Sequence, residues 1–376
     1  MARIIYSVTR FWRCYFLLLV ASILSFFLIY VSKNDPNLEY YFPYFRLGSN
    51  YYNFYASGGA EKIKQLMEAN NLDYEFISSN SKFCLSKEDY EFQQETDKTL
   101  DFLILSISQE SNYKARIAAR STWAKYLDEF NSKILFVVGN TESKTSRSKR
   151  DVNIIKNEIK QYGDLIQINM PDHENYTSTK TLISIRWALT YCSKAKNLFI
   201  LSDSAVLNLK KFKSVFTKKD QIIKEYAING QCDYTDENFA MALKLFFSDL
   251  NLKVKNESLS GVKKEEYNGK YCSNLGWIIS LNGARRLWET ALRSPYMMKI
   301  SPGYLNGYLA YKAKLNYSNE LRYHDSLPKD KNCLKVFESQ PELLLCAENF
   351  TISSRYSSYI AHWNSPAQGQ LNLSKL

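Results

Sequence analysis

Residues 100–139 read LDFLILSISQESNYKARIAARSTWAKYLDEFNSKILFVVG. Two short apolar runs, LDFLILSI (100–107) and KILFVVG (133–139), flank a stretch, 115–127, whose apolar residues recur at helical spacing. Apolar runs of this length are consistent with buried strands. The pattern then continues. DVNIIKNEIKQYG (151–163) is an amphipathic helix closed by Gly163, DLIQI (164–168) a third strand, TKTLISIRWALTYC (179–192) a strong helix and NLFILSD (197–203) a fourth strand. Alternation of buried strands with amphipathic helices predicts an α/β fold with a parallel sheet covered on both faces. Ligands of such sheets bind beyond the carboxyl ends of the strands. That rule places Ser106, Gly139 and Asp203 near a common crevice.

Upstream of this pattern the chain changes character. Residues 14–31, CYFLLLVASILSFFLIYV, contain no charge, Gly or Pro. As a helix they would span roughly 27 Å, close to the hydrocarbon thickness of a bilayer. Arg3, Arg10 and Arg13 precede the run, and Asp35 and Glu39 follow it. The excess of cations on the N-terminal side predicts a cytosolic tail (1–13), an N-terminal transmembrane helix (14–31) and a lumenal remainder. The run is long for a cleaved signal peptide, and no small-x-small site follows it. Residues 32–98 lack strong periodicity; within them the stretch 37–59 is rich in Tyr, Asn and Gly, and the segment reads as a stem that packs partly on the domain at 99–376.

The chain has 376 residues and a formal charge of +11. Its basic residues are scattered, apart from clusters at Lys144 to Arg150 and Lys210 to Lys219, which read as a solvated loop and helix face. No zinc spacing, helix-turn-helix pattern or RNP motif accompanies them, so no nucleic-acid partner is expected. Outside the apolar run lie Cys84, Cys192, Cys232, Cys272, Cys333 and Cys346, an even set with no CxxC pair. That suits disulfides in an oxidising compartment, with the pairing left open. Sequons stand at Asn175, Asn256, Asn316, Asn349 and Asn372. About four would arise by chance in so Asn- and Ser-rich a chain, so they are compatible with a lumenal location without requiring it.

Six short elements occur in an order that resembles glycosyltransferase family 31, the lumenal β1,3-galactosyl- and β1,3-N-acetylglucosaminyltransferases. They are Arg116-Ile-Ala-Ala-Arg120-Ser-Thr122-Trp123; LFVVG at 135–139; Glu158 followed by Tyr162-Gly163-Asp164-Leu-Ile-Gln167; Asp172 with Lys180-Thr181 and Trp187; Tyr271-Cys272-Ser273 with Gly276; and His362-Trp-Asn-Ser365-Pro366. The resemblance covers about residues 100 to 370. It implies a GT-A-like, Rossmann-like nucleotide-sugar domain in a type II protein of the Golgi or ER membrane. It also implies a UDP-sugar donor (UDP-galactose or a UDP-N-acetylhexosamine), Mn²⁺, and an acceptor glycan on a glycoprotein or glycolipid. It further implies that Cys192 and Cys272 lie near the same crevice.

Two motifs of that family are altered. Its Asp-Asp-Asp before V-F-V-N becomes Ser202-Asp203-Ser204 before Ala205-Val206-Leu207-Asn208, which retains the middle acid alone. Serine hydroxyls are poor ligands for a hard dication, so Mn²⁺ is expected to bind weakly or not at all. Its E-D-V-Y-V-G segment, which carries the base, becomes Pro302-Gly303-Tyr304-Leu305-Asn306-Gly307, and neither Pro302 nor Gly303 accepts a proton. Asp203 is then a metal ligand, a ribose contact or a strand-end turn cap. His362 is a metal or diphosphate contact or a packed aromatic beside Trp363. Arg116 and Arg120, one helical turn apart, face the nucleotide or form a salt-bridged pair; Lys180 belongs to the same nucleotide-binding set. His324 reads as a loop histidine. Asp233, Asp236 and Glu237 form an exposed turn or supply a displaced acid. The expected function is hexosyl transfer. The alternative is an inactive relative that acts as a chaperone, as a partner of an active transferase or as a glycan-binding protein.

Overall fold

Four parallel strands form the centre of the molecule: β2 (Phe102–Ile107), β3 (Ser132–Asn140), β4 (Leu165–Pro171) and β5 (Asn197–Ser202). Every residue of β2 is buried, as a strand covered on both faces requires. The computed structural model describes residues 72–85, 99–140, 146–236, 267–294, 303–325 and 332–365. Among the described residues no helix is long and apolar enough to cross a membrane. The anchor expected at 14–31 and most of the stem lie outside them.

Tyr234–Thr235 (β8) and Lys270–Tyr271 (β9) pair as a separate two-stranded sheet, and the eight-stranded sheet runs β1 (Phe76–Ser78), β4, β3, β2, β5, β10 (Gly276–Ser280), β7 (Ala227–Gly230), β11 (Asn316–Ser318). Its edge strand β1 comes from the end of the stem and pairs antiparallel with β4. The other half adds β7, β10 and β11, with β10 antiparallel to both β5 and β7. The sheet is therefore mixed, where the alternating pattern predicts a parallel one. The chain steps outward from β2 to β3 to β4 and then returns to the other side of β2 as β5. The reversal falls between β2 and β5, where an open α/β sheet leaves a crevice at the strands' carboxyl ends.

Helices α1 (Tyr113–Ser121) and α2 (Ser146–Tyr162) make the outward crossovers, and α3 (Thr177–Tyr191) makes the return. The expected single helix over 115–127 is broken. The Ser121 and Thr122 hydroxyls bond back to the carbonyls of Ile117 and Ala118 at 2.8 and 2.6 Å. Such back-bonding competes with helix continuation, and Trp123–Phe130 follow as a 3₁₀ turn. Gly163 closes α2 at φ 62°, as its place in the sequence predicts. A small sheet, β12 (Tyr323–His324), β13 (Leu345–Ala347) and β6 (Ala205–Leu207), continues from the end of β5. His324 thus belongs to a strand. The core includes α4 (Leu209–Thr217), α6 (Cys333–Ser339) and α7 (Ser353–Trp363), while α5 (Leu281–Leu292) packs against α3.

The six cysteines pair as Cys84–Cys192, Cys232–Cys272 and Cys333–Cys346. The expectation that Cys192 and Cys272 share the crevice fails, because Cys192 follows the C-terminus of α3. That helix runs back from the carboxyl edge of the sheet to its opposite edge, where Cys192 ties down the β1 segment. Cys272 precedes β10 and stays at the crevice edge. Peptide mapping under non-reducing conditions should recover these three linkages; a Cys192–Cys272 peptide would refute them. Loss of the 108-residue bridge should cost about 2–5 kcal/mol.

Candidate functional site

Asp203 follows β5 at the switch point, and its backbone N–H donates to the carbonyl of Ile107 at the end of β2. Its Oδ2 accepts from Ser108 Oγ at 2.7 Å and from Asn112 Nδ2 at 2.8 Å. Asn112 occupies the N-cap of α1 but makes no side-chain cap bond there. Its amide is used to hold Asp203 instead. The carboxylate is half-buried and bridges the two strands that flank the crevice.

Beneath it, Arg116 is completely buried. Its Nε and Nη2 grip Glu158 at 2.7 and 2.8 Å, Nη1 donates to Ser108 Oγ and the Gln109 carbonyl, and Nη2 reaches the Glu110 carbonyl at 3.1 Å. A guanidinium has five N–H donors, and all five are used inside the protein. Arg120 holds Asp164 bidentately at 2.8 and 2.7 Å and Glu158 at 2.7 Å, sandwiched between the Phe136 and Tyr162 rings. Both arginines are thus ion-paired, Arg116 with Glu158 and Arg120 with Glu158 and Asp164, in the protein interior. Arg116 shapes the 108–110 loop that in turn positions Asp203.

Lys180 is likewise turned inward. Its Nζ donates to the Ser108 carbonyl and to Asp172 Oδ1, both at 2.7 Å. Asp172 also accepts from the backbone N–H groups of Glu110 and Gly139 at 2.5 and 3.1 Å. Gly139 has no room for a side chain, since a Cβ there would stand 2.8 Å from the Met170 carbonyl and 2.9 Å from the Asp172 Cα. The loops after β2, β3 and β4 are thereby tied to one another. Ser106, expected at the crevice, is buried within β2.

The α1 arginines, the loops after β3 and β4 and the Asp203 turn fall within a single stretch, residues 114–320, that matches the family model described as galactosyltransferase. This chain belongs to the galactosyltransferase family. UDP-GalNAc:beta-1,3-N-acetylgalactosaminyltransferase 1 of Mus musculus is 28% identical over 203 residues, covering 50% of this chain and 53% of that protein. Beta-1,3-galactosyltransferase 1 of Gorilla gorilla gorilla is 24% identical over 211 residues, covering 53% and 57%. The chain spans about half the length of the curated relatives it matches. A solved glycosyltransferase involved in glycosylation of the major capsid of PBCV-1 is 10% identical, with a TM-score of 0.35 over 69% of this chain and 98% of that one. That likeness is too distant to bear on the site.

The galactosyltransferase resemblance implies a divalent cation, and the residues present do not fit one. Ser202 Oγ and Ser204 Oγ stand 2.9 Å apart and bond to each other. The Asp203 carboxylate is bonded to Ser108 and Asn112 instead. Among the described residues no three His, Cys, Asp or Glu side chains converge as a metal group would. His362 is not brought to Asp203. Helix α7 runs beside α1, with Ser353 bonded to Lys114 and Tyr359 to Thr122, so His362 lies near the end of α1 away from Asn112. At 1.5 Å per residue that end is about 15 Å from the crevice. There His362 Nε2 faces Glu338 at 3.5 Å. The histidine motif thus begins in the last turn of α7 and runs past its C-cap at Asn364, and the family match stops at residue 320.

Gly303 precedes a helical segment, Tyr304–Leu309, with π-type bonding. A Cβ on Gly303 would meet Tyr271 Cγ at 2.9 Å. The position of the expected base is therefore filled by an aromatic ring. Gly303→Asp should cost about 1–3 kcal/mol through overpacking and should add no transfer. A gain in turnover from that single change would contradict this packing. Pro302 and Glu237 lie outside the described residues.

One acid was missed by sequence reading. Asp325, exposed at the end of β12, accepts from Ser273 Oγ at 2.9 Å and from the Tyr234 hydroxyl. Its only sequence signal was its neighbour, His324. Asp233, in contrast, pairs with Arg322 at 3.6 Å.

Proposed function

We propose that this chain is a lumenal hexosyltransferase of GT-A-like architecture, held in the Golgi or ER membrane by residues 14–31. It takes UDP-galactose or a UDP-N-acetylhexosamine as donor and forms a β1,3 linkage to a glycan on a glycoprotein or glycolipid. The observation that carries this reading is Asp203, held by Ser108 and Asn112 at the switch point between β2 and β5, where open α/β sheets bind nucleotides. Of the two relatives described above, one is named for UDP-GalNAc and beta-1,3-N-acetylgalactosaminyl transfer and the other for beta-1,3-galactosyl transfer. Three disulfides suit an oxidising lumen.

In this reading Asp203 accepts a ribose hydroxyl of the donor, while Arg116, Arg120 and Lys180 fix the loops around it. The test offers the intact chain each UDP-sugar with a panel of hexoside acceptors. At least one donor should be transferred, with the rate falling about 100-fold or more in Asp203→Asn. A second reading is favoured by the Ser202–Ser204 pair and by the ring over Gly303. It is a non-catalytic partner or chaperone of an active transferase, or a glycan-binding protein. Absence of transfer with every donor, together with co-purification of an active transferase, would establish it.

A further inference from the structure

The transfer reaction needs a group to take the proton of the acceptor hydroxyl, and the expected position cannot hold one. We propose that Asp325 is that base, an inference that rests on the transferase reading above. Its carboxylate is fixed by two hydroxyl donors from different segments, Ser273 on one oxygen and Tyr234 on the other. A carboxylate has about four lone-pair sites. Two are used, and Asp325 is exposed, so the rest face solvent, where an acceptor would arrive.

Its place relative to Asp203 follows from the sheets. Ser273 Oγ, which holds Asp325, also accepts from the backbone N–H of Leu275 at 3.1 Å, and the Leu275 carbonyl accepts from the N–H of Ser202 at 3.0 Å. A short chain of bonds thus links Asp325 to the Ser202-Asp203-Ser204 turn. In the small sheet, His324 is level with Cys346, and Cys346 with Val206. Asp325 is one step further toward the crevice, level with Ala205 and two strand spacings, roughly 10 Å, from it. That separation leaves room for the anomeric carbon and the acceptor hydroxyl between a donor at Asp203 and a base at Asp325.

The surroundings suit the role. Tyr234 packs against Tyr271, the rings tilted by 37° with centroids 5.5 Å apart, beside Asp325. Burial first, then the bond to Asp325 and the charges of Asp325 and Asp233, push the Tyr234 phenol well above its ordinary value, so it remains a donor. Tyr271 and Tyr323 are pushed up by burial in the same way, Asp236 lies near Tyr271, and Arg322 meets the charge of Asp233. No ammonium or guanidinium is bonded to Asp325 in the described structure. In the step itself, the acceptor oxygen forms a bond to the anomeric carbon as its proton passes to Asp325. The bond from that carbon to the diphosphate breaks, and its electron pair leaves with UDP.

The test uses the intact chain and the donor that it transfers. Asp325→Asn should lower kcat about 10²–10⁴-fold while leaving UDP affinity within about twofold and the unfolding temperature unchanged. Tyr234→Phe should lower kcat less, with KM unchanged, because the carboxylate loses one of the two hydroxyls that position it. Asp233→Asn should behave as the unmodified chain. Unimpaired transfer by Asp325→Asn would overturn the proposal while leaving the transferase reading intact. Failure of the unmodified chain to transfer any donor would overturn both.

Discussion

Arg116→Ala should lower stability by about 3–5 kcal/mol, the range for leaving one partner of a buried ion pair alone. Glu158 is 1% exposed and takes three of its charge-assisted bonds from Arg116 and Arg120. With Arg116 gone, its carboxylate stays buried with Arg120 as its one remaining ion-pair partner, and three acceptors of the 108–110 loop lose their donor. Arg116→Lys should restore little, since an ammonium has three donors and no planar fork to span Glu158. Denaturant unfolding of the two variants measures this directly. A loss below about 1 kcal/mol would mean that the network is rebuilt around water and does not set the crevice loop.

The joint change Ser202→Asp and Ser204→Asp should create a cation site at the Asp203 turn. The two hydroxyls already touch at 2.9 Å, so carboxylates at both positions can reach one ion. Two carboxylates suit a hard dication where hydroxyls do not. UDP binding in Mn²⁺ should tighten about tenfold or more in this variant, equivalent to about 1.4 kcal/mol. Without Mn²⁺ it should weaken, because two added negative charges then face the diphosphate. No metal-dependent gain would mean that the crevice has closed or been put to another use.

The parallel centre of the sheet was legible because fully buried strands read as unbroken apolar runs and their crossovers as amphipathic helices. The antiparallel additions were not. β7, β10 and β11 have five residues or fewer, and their pairing is set by partners distant in the chain. At the site, the strand-end position of Asp203 was readable from the run that precedes it. The roles of Arg116 and Arg120 were narrowed to two, and only the fold decides between them, since Glu158 and Asp164 arrive from 38 to 44 residues away. His362 was not placeable from its short motif, because its position beside Glu338 at the end of α7 depends on how that helix packs. Gly303 looked like a bare loss of an acid. The structure adds that the Tyr271 ring needs the space. Asp325 had no pattern beyond its neighbour His324, because Tyr234 and Ser273 come from segments 91 and 52 residues away.

Calorimetric titration of UDP into the intact, unmodified chain, with and without Mn²⁺, tests most directly whether the crevice at Asp203 holds a nucleotide sugar without a strong metal. UDP should bind in both conditions, and Mn²⁺ should change the affinity by less than about threefold, or under about 0.7 kcal/mol. Tightening by tenfold or more on adding Mn²⁺, or no binding in either condition, would contradict it.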